Sequence, residues 1–137
     1  MLAKILQNAF IEMNVKEIKG KNHNPRILQY HNATSLKAST DEVPWCSSFV
    51  NYIVQKSGDK GTESAMARSW EKWGKEIEKP VPGCIVVFSR GSDKRFGHVA
   101  IFCYETKKNI YVIGGNQSDS VNITPYSKSK FVTYRSV

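Results

Sequence analysis

The sequence is short of cysteine and of acid, and it holds no long apolar run. Its three cysteines, Cys46, Cys84 and Cys103, are odd in number and widely spaced, with no Cys-x-x-Cys pair. Neither a disulfide framework nor a zinc site is expected from that spacing, and no metal or cofactor is expected. No stretch approaches the roughly 20 apolar residues that span a bilayer, so membrane insertion is not expected. The N-terminus lacks the apolar core and small-residue cleavage site of a secretory signal. Synthesis in the cytoplasm is therefore expected, with any later export by another route. Internal repeats and low-complexity tracts are absent, and a single domain over residues 1–137, working as a monomer, is the expectation. Twelve acidic residues stand against 20 Lys and Arg, a formal charge of +8. That excess favours an anionic partner such as nucleic acid, a membrane surface or an acidic wall polymer. The basic residues are scattered and no nucleic-acid-binding motif accompanies them, so nucleic acid is not the expected partner.

What is present begins with helices. Leu2, Ile5, Leu6, Ala9, Phe10 and Met13 recur at helical spacing and predict a first helix over residues 2–15. Pro25 heads a short second helix through His31. The stretch from Asp41 to Val54 reads as a helix with a cysteine near its start: Asp41 is an N-cap residue type and Pro44 is tolerated only in the first turn. Behind it Phe49, Val50, Ile53 and Val54 make an apolar face wide enough for a helix enclosed by the rest of the protein. A fourth helix, capped by Thr62 or Ser64 and carrying Trp70 and Trp73, is expected to stop at Gly74. Beyond Pro80 the pattern changes to short segments rich in Val, Ile, Phe and Tyr, at 84–89, 97–104, 109–113, 121–124 and 131–134. Helices followed by a strand meander predict an α+β fold with an antiparallel sheet.

The chemistry centres on Cys46. At a helix head the unpaired N–H groups favour a thiolate, the nucleophilic form of cysteine. Read alone, a cysteine on an apolar helix is more often a packing residue, and the rest of the chain is what raises the catalytic reading. His98 follows Gly97 at the start of a strand, where a rigid backbone can hold an imidazole as the base a thiol needs. Asn116 follows Gly114-Gly115 at the end of the next strand and can orient that ring, with Asp119 as the alternative. The loop at 90–95, with Arg90, Lys94 and Arg95, precedes His98 and can present cations to substrate carboxylates.

Four motifs carry a family resemblance: Trp45-Cys46-Ser47-Ser48-Phe49-Val50, Pro82-Gly83-Cys84-Ile85-Val86-Val87-Phe88, Gly97-His98-Val99-Ala100-Ile101 and Gly114-Gly115-Asn116-Gln117. In that order they resemble the CHAP and NlpC-type peptidoglycan hydrolases, and residues 24–31 resemble a subgroup of small phage- and bacteria-encoded members. The resemblance implies a papain-like fold in which the nucleophile helix packs on a C-terminal antiparallel sheet. It implies an amidase or endopeptidase that cuts amide bonds in wall peptides, with Cys46 as nucleophile, His98 as base and Asn116 as third member. Tyr30 is the expected oxyanion donor, because NlpC-type enzymes often use an upstream tyrosine. Trp45, Lys94, Arg95 and Gln117 are expected to touch substrate. The chain departs from many relatives at Cys84, where an acidic residue is common. The implied partners are peptidoglycan stem peptides and, for a toxin, a cognate immunity protein. The implied place of action is the wall, reached through a phage holin or a secretion machine. The same residues also allow an acyltransferase, or a basic wall- or nucleic-acid-binding module in which Cys46 is core.

Overall fold

The computed structural model describes residues 1–18, 23–35 and 45–137. Three α-helices come first: α1 (Leu2–Ile11), α2 (Pro25–His31) and α3 (Cys46–Lys56). A 3-10 turn (Ala67–Lys72) leads into six strands: β1 (Lys75–Ile77), β2 (Ile85–Ser89), β3 (Gly97–Glu105), β4 (Asn109–Gln117), β5 (Ser120–Ser127) and β6 (Phe131–Ser136). All pairings are antiparallel, in the order β1-β6-β2-β3-β4-β5. The fold is therefore α+β. Strands β2 to β5 form a meander by sequential hairpins, whereas β6 crosses back to lie between β1 and β2.

Helix α3 is the buried axis of the helical layer. Phe49, Val50, Ile53 and Val54 are fully buried, and so are the polar Ser47, Ser48 and Asn51. It packs on β3 and β4 on one side and on α1 and α2 on the other. Its sheet partners include Val99, Ile101 and Ile113, while Val86, Phe88, Ala100, Phe102 and Val112 form a second core on the opposite sheet face. Alternation along β2 and β3 thus fills both faces, as a strand covered on both sides requires. Helix α2 starts where Pro25 predicts, with the Asn24 side chain accepting from the Arg26 N–H at 2.9 Å.

Three expectations change. Helix α1 ends at Ile11, four residues early. Glu12 turns inward, where its carboxylate takes the Tyr30 hydroxyl at 2.7 Å and Arg26 Nε at 3.3 Å. The chain then runs along β5, with bonds from Asn14 N–H to Val121 O, Val121 N–H to Val15 O and Glu17 N–H to Asp119 O. The expected fourth helix is only the 3-10 turn. Asn51 Oδ1 accepts from the Thr62 and Glu63 N–H groups at 2.9 and 2.8 Å, and Ser47 Oγ donates to Ser64 O at 2.7 Å. Those side chains from α3 hold the backbone where the expected helix would have begun, and Ser64 O is spent on Ser47 instead of on a helical N–H. Strand β1, with its Lys-Glu-Ile sequence, escapes notice because three half-polar residues at a sheet edge carry no alternation. The Asp41 cap and Pro44 lie outside the described residues.

Candidate active site

Cys46 is the first residue of α3, with Trp45 as its N-cap, so the thiol stands where a helix presents unpaired N–H groups. It is 9% exposed. Burial alone would push the thiol up. The hydrogen bond and charge of His98, the Val99 backbone N–H and the charge of Arg90 outweigh it, and the thiol is held below its ordinary value.

His98 enters β3 one residue after Gly97 and pairs with Phe88 of β2. Its ring stacks on Tyr126 at 4.9 Å, which also stacks on Phe88 at 4.8 Å. A Cβ at Gly97 would stand 2.6 Å from Phe88 O and 2.8 Å from Arg68 Nε, so only glycine lets the strand begin this close. His98 Nε2 lies 3.0 Å from Gln117 Oε1. The orientation of that amide follows from its other end: the Gln117 NH2 donates to Asn122 O at 2.7 Å and Asn122 Oδ1 at 3.0 Å. A main-chain carbonyl can only accept, so the amide oxygen must face the imidazole. Nε2 therefore carries the proton and donates. Nδ1 is buried with no hydrogen-bond partner among the described residues, and with the proton on Nε2 it is the basic nitrogen. Asn122 is fixed in turn by its own bonds to Gln117 O, Ser120 Oγ and Thr124 Oγ1.

The partner of His98 is thus Gln117 and not Asn116. Continuing the Ile101↔Ile113 register would set Asn116 opposite His98, but the ladder on β4 is irregular between Gly114 and Gln117. Asn116 takes a left-handed φ of 58°, which breaks the alternation and lets the next side chain reach the ring. Ser118 and Asp119 also have positive φ, at 52° and 60°, and make the two-residue hairpin turn that returns the chain to Asn122. Asp119 turns the chain there. Asn116 instead lines a cleft of about 400 Å³ with Cys46.

That cleft is walled by Ala65, Met66 and Ala67 on one stretch and by Arg90, Arg95 and Phe96 on another. Arg95 is paired with Asp93 at 2.8 Å. Lys94 is exposed and does not line the cleft. Trp45 is fully buried and donates through Nε1 to Glu17 at 2.7 Å, so it anchors the helix head and is closed to substrate. A Cβ at Gly115 would stand 2.7 Å from the Trp45 ring, which accounts for the glycine pair. Tyr30 is also fully buried: its hydroxyl is committed to Glu12, and burial pushes it well above the ordinary phenol range. The structure does not bring Tyr30 to the cleft as an oxyanion donor. Tyr126 and the 65–67 wall were missed from sequence; Tyr126 comes from a strand remote from every motif, and the wall sits where a helix was expected.

An α+β fold that sets a helix-borne thiol against a strand-borne imidazole supplies a nucleophile and a base for acyl chemistry. The chain belongs to the CHAP domain family, whose model matches residues 38–116. CHAP domains are typically peptidoglycan-cleaving hydrolases, and membership suggests amidase or peptidase activity for this chain. No curated protein matches the sequence.

Proposed function

We propose that this protein is a papain-like cysteine hydrolase that cleaves amide bonds in peptidoglycan peptides. The observation that carries the reading is Cys46 at the head of α3 on the cleft, its thiol held down by His98, whose ring is backed by Gln117. In this reading His98 Nδ1 takes the thiol proton while Nε2–H stays on Gln117 Oε1. The thiolate attacks the substrate carbonyl and a tetrahedral oxyanion forms. The Cys46 backbone N–H, unpaired by its position in the first turn, is one donor to that oxyanion. Asn116, beside Cys46 in the cleft, replaces Tyr30 as the side-chain donor. His98 then gives its proton to the leaving amine, and a water deprotonated by the same nitrogen releases the acyl group. A charge of +8 suits an anionic wall, whether the enzyme arrives as a phage lysin or as an exported antibacterial effector.

The test is mass spectrometry of fragments released from purified peptidoglycan, with Cys46→Ala and His98→Ala as variants. New amino and carboxyl ends are expected with the native chain, and Cys46→Ala should release none while keeping its circular dichroism. Undiminished release by a folded Cys46→Ala would remove the proposed mechanism.

A further inference from the structure

Arg90 directly follows β2, is exposed, and lines the cleft beside Cys46. It differs from the other arginines. Arg26 is held by Glu12, Arg68 by Glu71, Arg95 by Asp93, and Arg135 by the Glu71 carbonyl. Arg90 has no ion-pair or hydrogen-bond partner among the described residues. Among the described residues no acidic side chain lines the cleft, and the positive charge of Arg95 is answered by Asp93. The remaining wall is uncharged: Ala65, Met66, Ala67 and Phe96 are apolar, and Asn116 is neutral. The charge of Arg90 also reaches the reacting group: it helps hold the Cys46 thiol down, and it offsets part of the burial that pushes the Tyr126 phenol up to about 12. Among the described residues the cleft therefore holds one uncompensated guanidinium, within electrostatic reach of the nucleophile.

We propose that Arg90 is a specificity residue that pairs with a free carboxylate carried by the substrate close to the amide that Cys46 attacks. A guanidinium offers a planar fork of donors that matches a carboxylate, and loading a substrate over it excludes the water that weakens the pair when exposed. The attraction acts on the substrate and not on the bond being broken. Its loss should therefore appear in KM more than in kcat. This rests on the reading of the cleft as an amide-cleaving site, and it separates that site's substrates into carboxylate-bearing and neutral classes.

Two reagents that differ only in charge test it. Iodoacetate carries a carboxylate and iodoacetamide a neutral amide, and both alkylate the same thiolate, so the ratio of their rates cancels any change in thiol acidity. In folded Arg90→Gln the iodoacetate-to-iodoacetamide ratio at Cys46 should fall about five- to tenfold, the scale of one charge-assisted contact. Arg90→Lys keeps the charge without the fork and should fall between. Lys94→Gln, outside the cleft, should leave the ratio unchanged. An unchanged ratio in Arg90→Gln, or an equal fall in Lys94→Gln, overturns the proposal. A second measurement uses wall peptides with a free or an amidated carboxylate: the native enzyme should prefer the free acid through KM, and Arg90→Gln should lose the preference. If the alkylation ratios behave as expected and neither peptide is cut, the carboxylate site stands and the hydrolase reading fails.

Discussion

The two ring nitrogens of His98 have different neighbours, and that difference decides which amides matter to rate. Gln117 holds Nε2, so Gln117→Ala should lower kcat by roughly ten- to a thousand-fold with KM little changed, as removal of an orienting residue does. Gln117→Glu retains an acceptor for Nε2–H and should recover part of the loss. Asn116 is expected to act on the oxyanion, where loss of one donor costs about a hundredfold or more in kcat. The pair is separated by Asn116→Asp: a carboxylate repels an oxyanion, so Asp should be no better than Ala at this position. Rescue by Asn116→Asp in steady-state kinetics would instead return the orienting role to Asn116. Cys46 and His98 were legible in the sequence because a helix head and a post-glycine strand each leave a local signature. Gln117 was legible only as a neighbour of the glycines, since the left-handed turn at Asn116 that swaps the two amides depends on the whole hairpin. Arg90 stood in plain view within a basic loop. What distinguishes it is that Arg95 is already answered by Asp93 and Lys94 does not line the cleft.

Among the elements, α3 does more than carry the nucleophile. Asn51, fully buried on its second turn, binds the segment that leads into the cleft wall through Thr62, Glu63 and Ser64. Asn51→Leu would keep the bulk and strand several polar groups. The expected cost is about 2–4 kcal/mol of stability, the range for losing bonded partners in a protein interior. Urea unfolding measures that loss, and KM should rise with it because Ala65 to Ala67 lose their support. A stability unchanged within error would mean that the 61–66 segment holds itself. The same contact explains why the fourth helix was over-read from its spacing. Tryptophans three apart satisfy a 3-10 turn as well as an α-helix, and nothing local reveals that Asn51 has captured the preceding N–H groups. Helix α2 was legible nearly to the residue because Pro25 sets its start, whereas α3 was legible in its buried face and not in its start, which falls at Cys46 behind a Trp45 N-cap instead of after Asp41. Strand ends past Ile113 were not, for there the pairing partner and not the side-chain pattern sets the length.

For the molecule as a whole, the three thiols divide cleanly. Cys46 is held down by its neighbours, while burial pushes Cys84 up to about 11 and raises Cys103 as well. At neutral pH iodoacetamide should therefore label Cys46 first. The fold also refuses the Cys84 thiolate. Unfolded chain loses this proton near the ordinary thiol value while folded chain keeps it, so the folded state binds more protons and stability falls as pH rises from about 9 towards 11. Cys84→Ala should remove on the order of 2 kcal/mol of that alkaline slope, whatever it costs at pH 7. Denaturation midpoints for the two chains at pH 7 and pH 10 measure it, and parallel loss in both would assign the slope to other groups. The crossover of β6 carries a different kind of consequence. Strand β6, synthesised after the other five, sits in the interior of the sheet, between β1 and β2, with Val86 opposite Tyr134 and Phe88 opposite Phe131. On the ribosome, β2 must wait with one hydrogen-bonding edge bare until residue 136 has emerged, long after the meander that carries His98 and Gln117 is free to pair. The nascent enzyme passes through an interval in which its chemistry is nearly assembled and its sheet is still sticky. Chains stalled or cut before β6 should collect in inclusion bodies, while chains that include it remain in solution.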